Sequence, residues 1–391
     1  MISKADFEQL AHRPIILFPF GRDGKAALDT FLAHGYTVRA IWDNRKYGQT
    51  YQGIPVEQPE AITDEAVAVV LCAGASIQEM LLAQAQSLCP TVYLGGDVLR
   101  SMDLTHREYG NNFMLINQSI ESEWSQDHPH QLVLHSLELP ITDRCSLRCR
   151  DCSNLMQYFT APKDADIEQA LADADQVLDS VDRIEQLRLL GGEPFVSRHL
   201  YRYVQHFAGH DKIEFIHIFS NGTIVPTGEN LECLKHPKVF VNISNYGPLS
   251  RHIPEIEALF QREHILYRVA DVTEWTDCAS ITEHHRSPER LAQVFGDCCA
   301  SRLLTLRGGR LFICPFLANA QALHAIPAAA DESLLLSQYS KDELTDALQR
   351  FLAKTSFRGC DFCNGRPRGV VNIPAAVQAK EPRSYRRYDV E

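Results

Sequence analysis

Short apolar runs alternate with amphipathic helical stretches along the first third of the chain. The predicted strands of this region are Ile15–Phe18, Thr37–Asp43, Ala66–Cys72 and Thr91–Gly96. A helical stretch that ends at Gly35 lies between the first two strands. Because strands that alternate with helices favour a parallel sheet, residues 1–120 are predicted to form a Rossmann-like βαβ lobe.

A second series of strands and helices follows the polar segment Asn111–Gln131, which we interpret as a linker or a surface helix. Its predicted strands are Leu132–Leu139, Gln186–Leu190, Glu214–Ser220, Lys238–Ser244 and Leu266–Val269. Helical patterns such as Ile167–Val181 lie between them. This spacing suits a full or partial (β/α) barrel over residues 132–294, with its chemistry at the carboxyl ends of the strands. The irregular tail, residues 295–391, is expected to form a separate cap.

Composition and charge exclude several function classes. Of the 391 residues, 45% are hydrophobic and 23% charged, a mixture typical of globular proteins of two or three domains. The longest apolar stretch, Ala66–Ala75, is much shorter than a membrane span, and the first residues lack the apolar core of a secretory signal. The net charge is −12 and no run of Lys or Arg occurs. We therefore expect a cytoplasmic protein that binds neither nucleic acid nor membranes.

The chain contains 12 cysteines, which is the informative feature of its composition. Without an export signal these cysteines are not expected to form disulfides, because the cytosol keeps thiols reduced. Scattered cysteines would act as small core hydrophobes. Several of them instead lie at short spacings, and this clustering indicates metal binding.

Cys145, Cys149 and Cys152 lie in the segment CSLRCRDC, directly after the apolar run SLELPIT. Thiolates so close together can face one inorganic cluster without the closure of a long loop. In a [4Fe–4S] cluster held by three cysteines, one iron has no protein ligand and can chelate a small molecule. Closed structural zinc sites need four ligands, and the nearby sequence offers no fourth. The spacing therefore favours a cluster over buried structural thiols.

A glycine pair, Gly191 and Gly192, follows the apolar run QLRLL and is itself followed by Glu193 and Pro194. Glycines after a strand let a ligand approach the backbone, whose exposed amides and carbonyls can take a charged group. By itself the motif is also typical of a simple turn. Its position, one strand after the cysteine triplet, associates it with the same site.

Together these motifs resemble the radical S-adenosylmethionine (radical SAM) enzymes, whose hallmark is a C-x3-C-x2-C loop after the first barrel strand and a GGEP-like motif after the second. The resemblance covers Leu137 to about Leu323. It implies that the triplet holds a [4Fe–4S] cluster whose open iron binds SAM, with Gly191–Pro194 holding the amino group of SAM. It also implies cleavage of SAM to methionine and a 5′-deoxyadenosyl radical, with an electron from a donor such as flavodoxin or ferredoxin.

Two later strand ends match the positions of the ribose and carboxylate contacts in this family. Ser220 and Asn221 follow one strand, and Asn242 and Ser244 end the next. Their hydroxyl and amide groups suit such contacts, although each segment is also typical of a strand-end turn. Asp151 precedes the third cysteine, where the family often has an aromatic residue near adenine. An aspartate at this position can instead accept a hydrogen bond from the adenine amine.

A second group of cysteines lies in the tail and has the pattern Cys299-x9-Gly309-x4-Cys314, followed by Cys360-x2-Cys363. This pattern resembles the SPASM and shorter twitch extensions of radical SAM enzymes. A tight turn at the glycine would bring two thiolates together. The four cysteines suffice for one auxiliary [4Fe–4S] cluster, and the twitch form fits because no cysteine follows. Cys298 is an alternative to Cys299, and a four-thiolate zinc site is an alternative to the cluster.

The N-terminal lobe carries the motif P-x-G-x-x-G, which runs from Pro19 through Gly21 to Gly24. Asp43 lies at the end of the next strand. This is a dinucleotide fingerprint whose first glycine is replaced. The lobe also resembles the N-terminal βαβ domain of bacterial sugar-nucleotide acyltransferases, which implies a nucleotide, phosphate or sugar-nucleotide site. The alternative is a lobe that only packs against the barrel.

Taken together, the sequence predicts an α/β protein with a Rossmann-like lobe, a partial (β/α)6 radical SAM barrel and a small cysteine-rich C-terminal domain. The expected reaction starts with hydrogen abstraction from a sugar, nucleotide sugar or related polyol and leads to dehydrogenation, epimerisation or rearrangement. Cys278 and Tyr246 are candidate hydrogen donors, with a simple buried or loop thiol as the alternative for Cys278. The competing hypotheses are modification of a peptide or protein side chain, and a non-catalytic iron–sulfur or zinc protein.

Overall fold

The computed structural model describes residues 2–329, 331–367 and 372–388. The chain divides into two compact units, Met1–His130 and Gln131–Glu391. None of the described helices is both long enough and apolar enough to cross a lipid bilayer.

The N-terminal unit contains a single six-stranded sheet with the order β3-β4-β2-β1-β5-β6. Its elements are α1 (Lys4–Leu10), β1 (Ile15–Phe18), α2 (Arg22–Ala33), β2 (Val38–Trp42), β3 (Gln49–Tyr51), β4 (Ile54–Glu57), β5 (Ala68–Leu71), α3 (Ala75–Leu88), β6 (Val92–Leu94), α4 (Gly95–Arg100) and α5 (His106–Asp127). All strand pairs are parallel except β3 with β4. The predicted parallel α/β sheet is therefore present, and it is extended by the hairpin of β3 and β4.

The polar segment between the two predicted α/β regions forms most of helix α5. Thr105 and Glu108 form a capping box at its start. Phe113, Leu115 and Ile116 are buried, and the last two belong to the core of the N-terminal unit. Of the two interpretations of this segment, the helix is present and the linker is not. The apolar residues of the helix pack into the core of the N-terminal unit, which therefore extends past residue 120.

The C-terminal unit contains an eight-stranded sheet with the order β11-β10-β9-β8-β7-β13-β14-β15 and a separate pair, β12 with β16. Its strands are β7 (Val133–Thr142), β8 (Arg183–Gly191), β9 (Ile213–Ser220), β10 (Val239–Asn245), β11 (Tyr267–Asp271), β12 (Glu274–Thr276), β13 (Leu304–Arg307), β14 (Arg310–Phe312), β15 (Ser333–Leu335) and β16 (Asn372–Pro374). Its α-helices are α6 (Ile167–Asp179), α7 (Leu200–Ala208), α8 (Glu229–Glu232), α9 (Ile253–Arg262), α10 (Pro288–Asp297), α11 (Pro315–Ala322) and α12 (Lys341–Leu352). Short 3₁₀ helices cover Met156–Tyr158, Pro194–Val196, Cys233–Lys235, Gly247–Leu249, Leu336–Gln338 and Arg358–Phe362.

The five strands predicted for the second α/β region are β7 to β11, and they pair in parallel in chain order. A sixth parallel strand, β13, pairs with β7 at the opposite side of the sheet from β11. Since β13, β14 and β15 belong to the tail, the tail continues this sheet instead of standing apart as a separate cap. The structure thus has two compact units where the sequence suggested three segments.

The two faces of the parallel strands differ sharply in polarity. On one face, Leu137, Leu187 and Ile216 join the hydrophobic core of this unit. On the other face, alternate positions hold polar residues such as the buried Glu138 and the half-buried Arg188. Because side chains alternate along a strand, this face carries polar groups to the carboxyl edge of the sheet, where the loops after β7, β8, β9 and β10 meet.

Candidate active site

The loops at the carboxyl edge of the parallel strands enclose a cavity of about 350 Å³. It contains the three cysteines of the triplet, the glycine pair and several polar strand-end residues. Its lining residues are Glu138, Cys145, Leu147, Cys149, Cys152, Ser153, Asn154, Arg188, Leu190, Gly191, Gly192, Phe219, Ser220, Asn221, Ser244, Tyr246, Trp275, Leu303, Pro315 and Arg366.

The cysteine triplet lies in the loop after β7, and all three of its side chains face this cavity. Burial raises the pKa of Cys145 to about 12 and that of Cys149 to about 11, and it also raises the pKa of Cys152. Metal-free thiols in this environment are protonated near neutral pH, so metal binding releases protons. No other described cysteine lines the cavity. The donor set is therefore three sulfurs, which suits a cluster with one iron open to a small ligand.

A distant segment, residues 377–383, pairs with the triplet loop and is called the strap below. The backbone N–H of Arg150 donates to the carbonyl of Val377 at 2.7 Å, and that of Ala379 donates to the carbonyl of Arg148 at 2.7 Å. The Gln378 amide accepts a hydrogen bond from the Arg148 N–H at 2.8 Å and lies 3.3 Å from the Cys149 sulfur. The strap therefore fixes the loop that carries the second cysteine.

The glycine pair lets the turn after β8 press against the triplet loop. Gly191 has a φ of +144°, and a Cβ on it would lie 2.1 Å from the Thr142 carbonyl oxygen. A Cβ on Gly192 would lie 2.1 Å from the Arg144 carbonyl oxygen. The two loops are joined by a hydrogen bond of 2.8 Å from the Gly192 N–H to the Thr142 carbonyl. The close approach that requires glycine here is thus between two segments of this chain.

Glu193 is fully buried and connects the same turn to the end of β9. Its carboxylate accepts the backbone N–H groups of Asn221 at 2.7 Å and Phe195 at 3.2 Å. Burial raises its pKa to about 7, although these bonds and the Ser220 hydroxyl favour the charged form. Glu193 therefore braces the loop and does not line the cavity. The next residue, Pro194, starts the short 3₁₀ helix after the turn.

Four of the other predicted cofactor contacts and donors lie in the cavity. These are Ser220, Asn221, Ser244 and Tyr246. The Asn221 amide lies 3.5 Å from the Cys145 sulfur, so it touches the proposed ligand set directly. Tyr246 packs edge-on against Trp275 with ring centroids 5.5 Å apart, and burial raises its pKa to about 12.

Two predicted contacts lie elsewhere. Asp151 does not line the cavity, because its carboxylate pairs with Arg150 at 2.9 Å and with Arg383 of the strap at 3.2 Å. It holds the strap to the loop, and its contact with adenine stays a prediction. Asn242 is buried on the polar face of β10 below Ser244, and its side-chain oxygen has no hydrogen-bond partner.

Sequence reasoning missed a buried charge group at the floor of the cavity. The Arg188 guanidinium donates to the Glu138 carboxylate at 2.7 Å and lies 4.7 Å from the Phe219 ring centre. Burial raises the pKa of Glu138, while the positive charges of Arg188 and Arg366 oppose that rise. The detectable signal was a charged residue in the middle of each apolar strand, SLELPIT and QLRLL. The sequence around Arg366 gave no such signal.

The tail cysteines surround a second, smaller cavity. Five of its lining residues are cysteines, namely Cys278, Cys298, Cys314, Cys360 and Cys363. Cys299 does not line this cavity and is exposed, with its backbone N–H bonded to the Arg366 carbonyl. Cys298, the alternative raised from the sequence, is therefore the member of the adjacent pair that faces the others. Gly309 occupies the turn between β13 and β14, as predicted, with a φ of +71°.

The placement of Cys278 differs from its predicted role as a hydrogen donor near SAM. It is buried and lines the second cavity, whereas Tyr246 lines the first. The two cavities share a wall made of Ser153, Pro315 and Arg366. Ser153 directly follows Cys152, and Pro315 directly follows Cys314. The two groups of sulfur donors are therefore neighbours within one unit.

The glycine-rich turn of the N-terminal unit follows β1 and opens α2, as its fingerprint predicts. Gly21 is the N-cap of α2, with no side chain capping the helix. A Cβ on Gly24 would lie 2.1 Å from the Pro19 carbonyl oxygen, so this glycine permits close packing of helix and strand. The Asp43 carboxylate accepts the backbone N–H groups of Phe20 and of the loop after β2. Asp43 therefore holds these two loops together.

A family model described as the radical SAM superfamily matches residues 139–251, the segment that carries the triplet, the glycine pair and the polar ends of β9 and β10. The chain carries a radical SAM domain, and the protein is an enzyme. The superfamily implies SAM and a [4Fe–4S] cluster, and the three-sulfur cavity has the donors for that cluster.

The chain is also similar in sequence to two named relatives and has a weak likeness to solved structures. It is 31% identical over 103 residues to a GTP 3′,8-cyclase of Ectopseudomonas mendocina (strain ymp), covering 25% of this chain and 30% of that protein. It is 29% identical over 101 residues to a GTP 3′,8-cyclase of Syntrophomonas wolfei, covering 24% and 29%. It thus spans less than a third of these relatives. Among solved structures, BtrN in complex with AdoMet and 2-DOIA is 13% identical, with a TM-score of 0.39, covering 64% of this chain and 98% of that one.

Proposed function

We propose that this enzyme uses its three-sulfur cavity to hold a [4Fe–4S] cluster and SAM, and that it abstracts a hydrogen atom from a small molecule. The observation that carries the proposal is the cavity lined by Cys145, Cys149, Cys152 and no other described cysteine. When bound, the cluster and SAM supply a 5′-deoxyadenosyl radical. The remaining tasks, which are binding, orientation and exclusion of water, belong to residues of the chain.

The walls of the cavity suggest how these tasks are divided. The backbone at Gly191 and Gly192 is exposed to the cavity and suits the amino group of SAM. Hydroxyl and amide groups at Ser220, Asn221 and Ser244 suit its ribose and carboxylate. Tyr246 and Trp275 form an aromatic wall that excludes water from the reacting groups.

The charge group on the floor of the cavity favours a polar substrate. Glu138 can accept hydrogen bonds from hydroxyl groups, and Arg188 and Arg366 can bind phosphate or carboxylate. We propose a sugar, nucleotide sugar or related polyol, modified by dehydrogenation, epimerisation or rearrangement. The relatives named GTP 3′,8-cyclase support a nucleotide as part of the substrate.

We propose that the second cavity holds an auxiliary [4Fe–4S] cluster bound by Cys298, Cys314, Cys360 and Cys363. We favour a cluster over the four-thiolate zinc site because the neighbouring cavity holds the three-cysteine triplet, which suits a [4Fe–4S] cluster. Such a cluster would transfer electrons or stabilise the tail, and a donor such as ferredoxin or flavodoxin would reduce the enzyme.

We further propose that the N-terminal unit binds the phosphate of a nucleotide or nucleotide sugar where α2 begins at Gly21. The N-terminus of this 12-residue helix, where Gly21 supplies no side-chain cap, supports the site, because the dipole and first-turn N–H groups of a helix attract anions. A thermal-shift screen of nucleotide sugars tests it by linkage. Stabilisation by one of them is expected, and no response from any would contradict the proposal.

The central experiment measures SAM cleavage. Anaerobically reconstituted protein, given dithionite and SAM, is expected to release 5′-deoxyadenosine and methionine. The combined C145A, C149A and C152A variant is expected to release none, whereas Cys89→Ala, in the core of the N-terminal unit, leaves release unchanged. Release by the triple variant would overturn the proposed site.

A further inference from the structure

Three contacts fix the side-chain amide of Gln378, the residue of the strap that lies against the triplet loop. Its oxygen accepts the Arg148 N–H at 2.8 Å, and its nitrogen donates to the Ala376 carbonyl at 2.7 Å. The same nitrogen lies 3.3 Å from the Cys149 sulfur. A flipped amide would place oxygen against the Ala376 carbonyl and nitrogen against the Arg148 N–H, so its neighbours determine its orientation. One of the two N–H groups on the nitrogen is therefore available to the sulfur.

The strap does not depend on the Gln378 side chain for its pairing with the loop. Backbone hydrogen bonds of 2.7 Å run from the Arg150 N–H to the Val377 carbonyl and from the Ala379 N–H to the Arg148 carbonyl. These bonds remain when residue 378 is changed. An effect of the side-chain N–H on the sulfur can therefore be separated from the attachment of the strap.

A hydrogen bond to a cysteine ligand changes the electronic properties of the metal centre that the cysteine holds. The N–H dipole stabilises negative charge on the sulfur. A [4Fe–4S] cluster gains one negative charge on reduction, and its sulfur ligands carry part of that charge. A donor at the sulfur therefore stabilises the reduced form more than the oxidised form, and hydrogen bonds to the sulfurs are among the factors that set cluster potentials.

We infer that Gln378 donates a hydrogen bond to the Cys149 ligand of the SAM-binding cluster and raises the reduction potential of that cluster. This inference rests on the proposed function, which places the cluster at the triplet. The step that it assists is a transfer of one electron, in which the donor protein is oxidised and the cluster is reduced. No bond between iron and sulfur forms or breaks. Gln378 is thus a positioning residue that acts through Cys149.

The experiment isolates the cluster of the triplet in full-length protein that carries C314A, C360A and C363A. This parent is reconstituted, checked for folding by circular dichroism and titrated electrochemically without SAM, with EPR reporting the reduced cluster. It should hold about four irons per chain. If the parent does not fold, the same titration is made on protein with all its cysteines, following the EPR signal that changes when SAM is added.

Two substitutions of Gln378 separate the loss of the donor from other effects. Gln378→Met is similar in length and has neither the donor nor the acceptor. At the midpoint potential of the parent, its ratio of reduced to oxidised cluster should fall about fivefold, the effect of one hydrogen bond of ordinary strength. Gln378→Glu keeps an oxygen for the Arg148 N–H, but it lacks the donor and adds a negative charge, so its ratio should fall further.

The matched control is Gln293→Met, the same substitution at an exposed glutamine of α10 that lines neither cavity. Its ratio should equal that of the parent, and all the variants should keep their iron. An unchanged ratio in Gln378→Met would overturn the inference, and so would loss of its iron, which would indicate a purely structural role. A folded parent without a [4Fe–4S] cluster would instead contradict the proposed function, so the two failures are distinguishable.

Discussion

Glu193 is a carboxylic acid in the fully buried turn behind the triplet, and its ionisation is expected to make stability depend on pH. Its pKa is raised to about 7 in the folded protein, from 4.5. Between these values the unfolded chain releases the proton and the folded chain keeps it, so the free energy of unfolding falls as pH rises. Above pH 7 both states are ionised and the effect is constant. The full loss is about 3 kcal/mol.

The Glu193→Gln substitution removes this ionisation. Comparison of the variant with the wild type therefore isolates the contribution of Glu193 to the pH dependence from that of all other titratable groups. Urea unfolding of both proteins at several pH values gives the difference in their free energies of unfolding. We expect the wild type to lose about 3 kcal/mol relative to the variant between pH 4.5 and 7, with no further change at pH 8. A difference that stays constant over this interval would contradict the raised pKa.

Substitution of one partner of the Glu138–Arg188 pair is expected to lower the free energy of unfolding strongly, whereas replacement of both partners by apolar residues is expected to lower it little. Arg188→Met leaves a carboxylate in a site where its side chain is only 5% exposed, and should lower the free energy of unfolding by about 3–5 kcal/mol. Adding Glu138→Leu should recover most of this loss. A double-mutant cycle by chemical denaturation measures the coupling. Additive effects of the two changes would show that the pair does not interact.

At the level of single residues, the sequence indicated that the three cysteines of the triplet lie together, because they occupy one short loop, and they do line one cavity. It could not choose between Cys298 and Cys299, because the choice depends on how the chain leaves α10. The ion pair that Asp151 makes with the strap could not be predicted for a similar reason. Its partner Arg383 lies 232 positions away, so no local pattern reveals the pairing.

Among the structural elements, the turn after β8 is the one whose geometry tolerates least change. Gly192→Ala would place a methyl group 2.1 Å from the backbone oxygen of Arg144 and push the turn away from the triplet loop. We expect a loss of about 1–3 kcal/mol in the free energy of unfolding, together with lower iron content after reconstitution.

Gly209→Ala, at the end of α7, is the matched control for this change. Nothing lies within 4 Å of its added methyl group and its φ is −80°. Its stability should change by less than about 0.5 kcal/mol, with unchanged iron content. Equal effects of the two substitutions in denaturation and iron assays would contradict the role assigned to the turn.

Sequence patterning located the parallel strands β1, β2 and β5 to β11 because each is a distinct apolar run. It missed the hairpin of β3 with β4, whose strands are only three and four residues long. The hairpin of β13 with β14 was predicted from the turn at Gly308–Gly309 and is present. Sequence patterning also assigned the tail to a separate cap. The tail joins the main sheet through the pairing of β13 with β7, a contact between residues 167 positions apart at Glu138 and Thr305.

For the whole molecule, each of the two cysteine groups is predicted to hold half of the bound iron. The reconstituted protein should contain about eight irons per chain, from two four-iron clusters. Alanine at Cys145, Cys149 and Cys152 should leave about four, and alanine at Cys314, Cys360 and Cys363 should also leave about four. Iron and sulfide analysis with EPR distinguishes the two halves.

The cysteines of the N-terminal unit provide the control for this count. Cys72 and Cys89 are buried in its apolar cores, and alanine at both should leave the iron content unchanged. A fall in iron would contradict the assignment of all metal binding to the C-terminal unit. One zinc ion in place of four irons would contradict the auxiliary cluster alone.

The strap has a consequence for the order of events during synthesis. The triplet loop leaves the ribosome long before its partner Gln378, which lies 230 positions after Arg148. Until that partner is made, the loop that carries Cys149 lacks the hydrogen bonds that hold it. Iron delivered to the nascent polypeptide would meet an unsupported loop, so maturation of the metal centre is expected to follow translation.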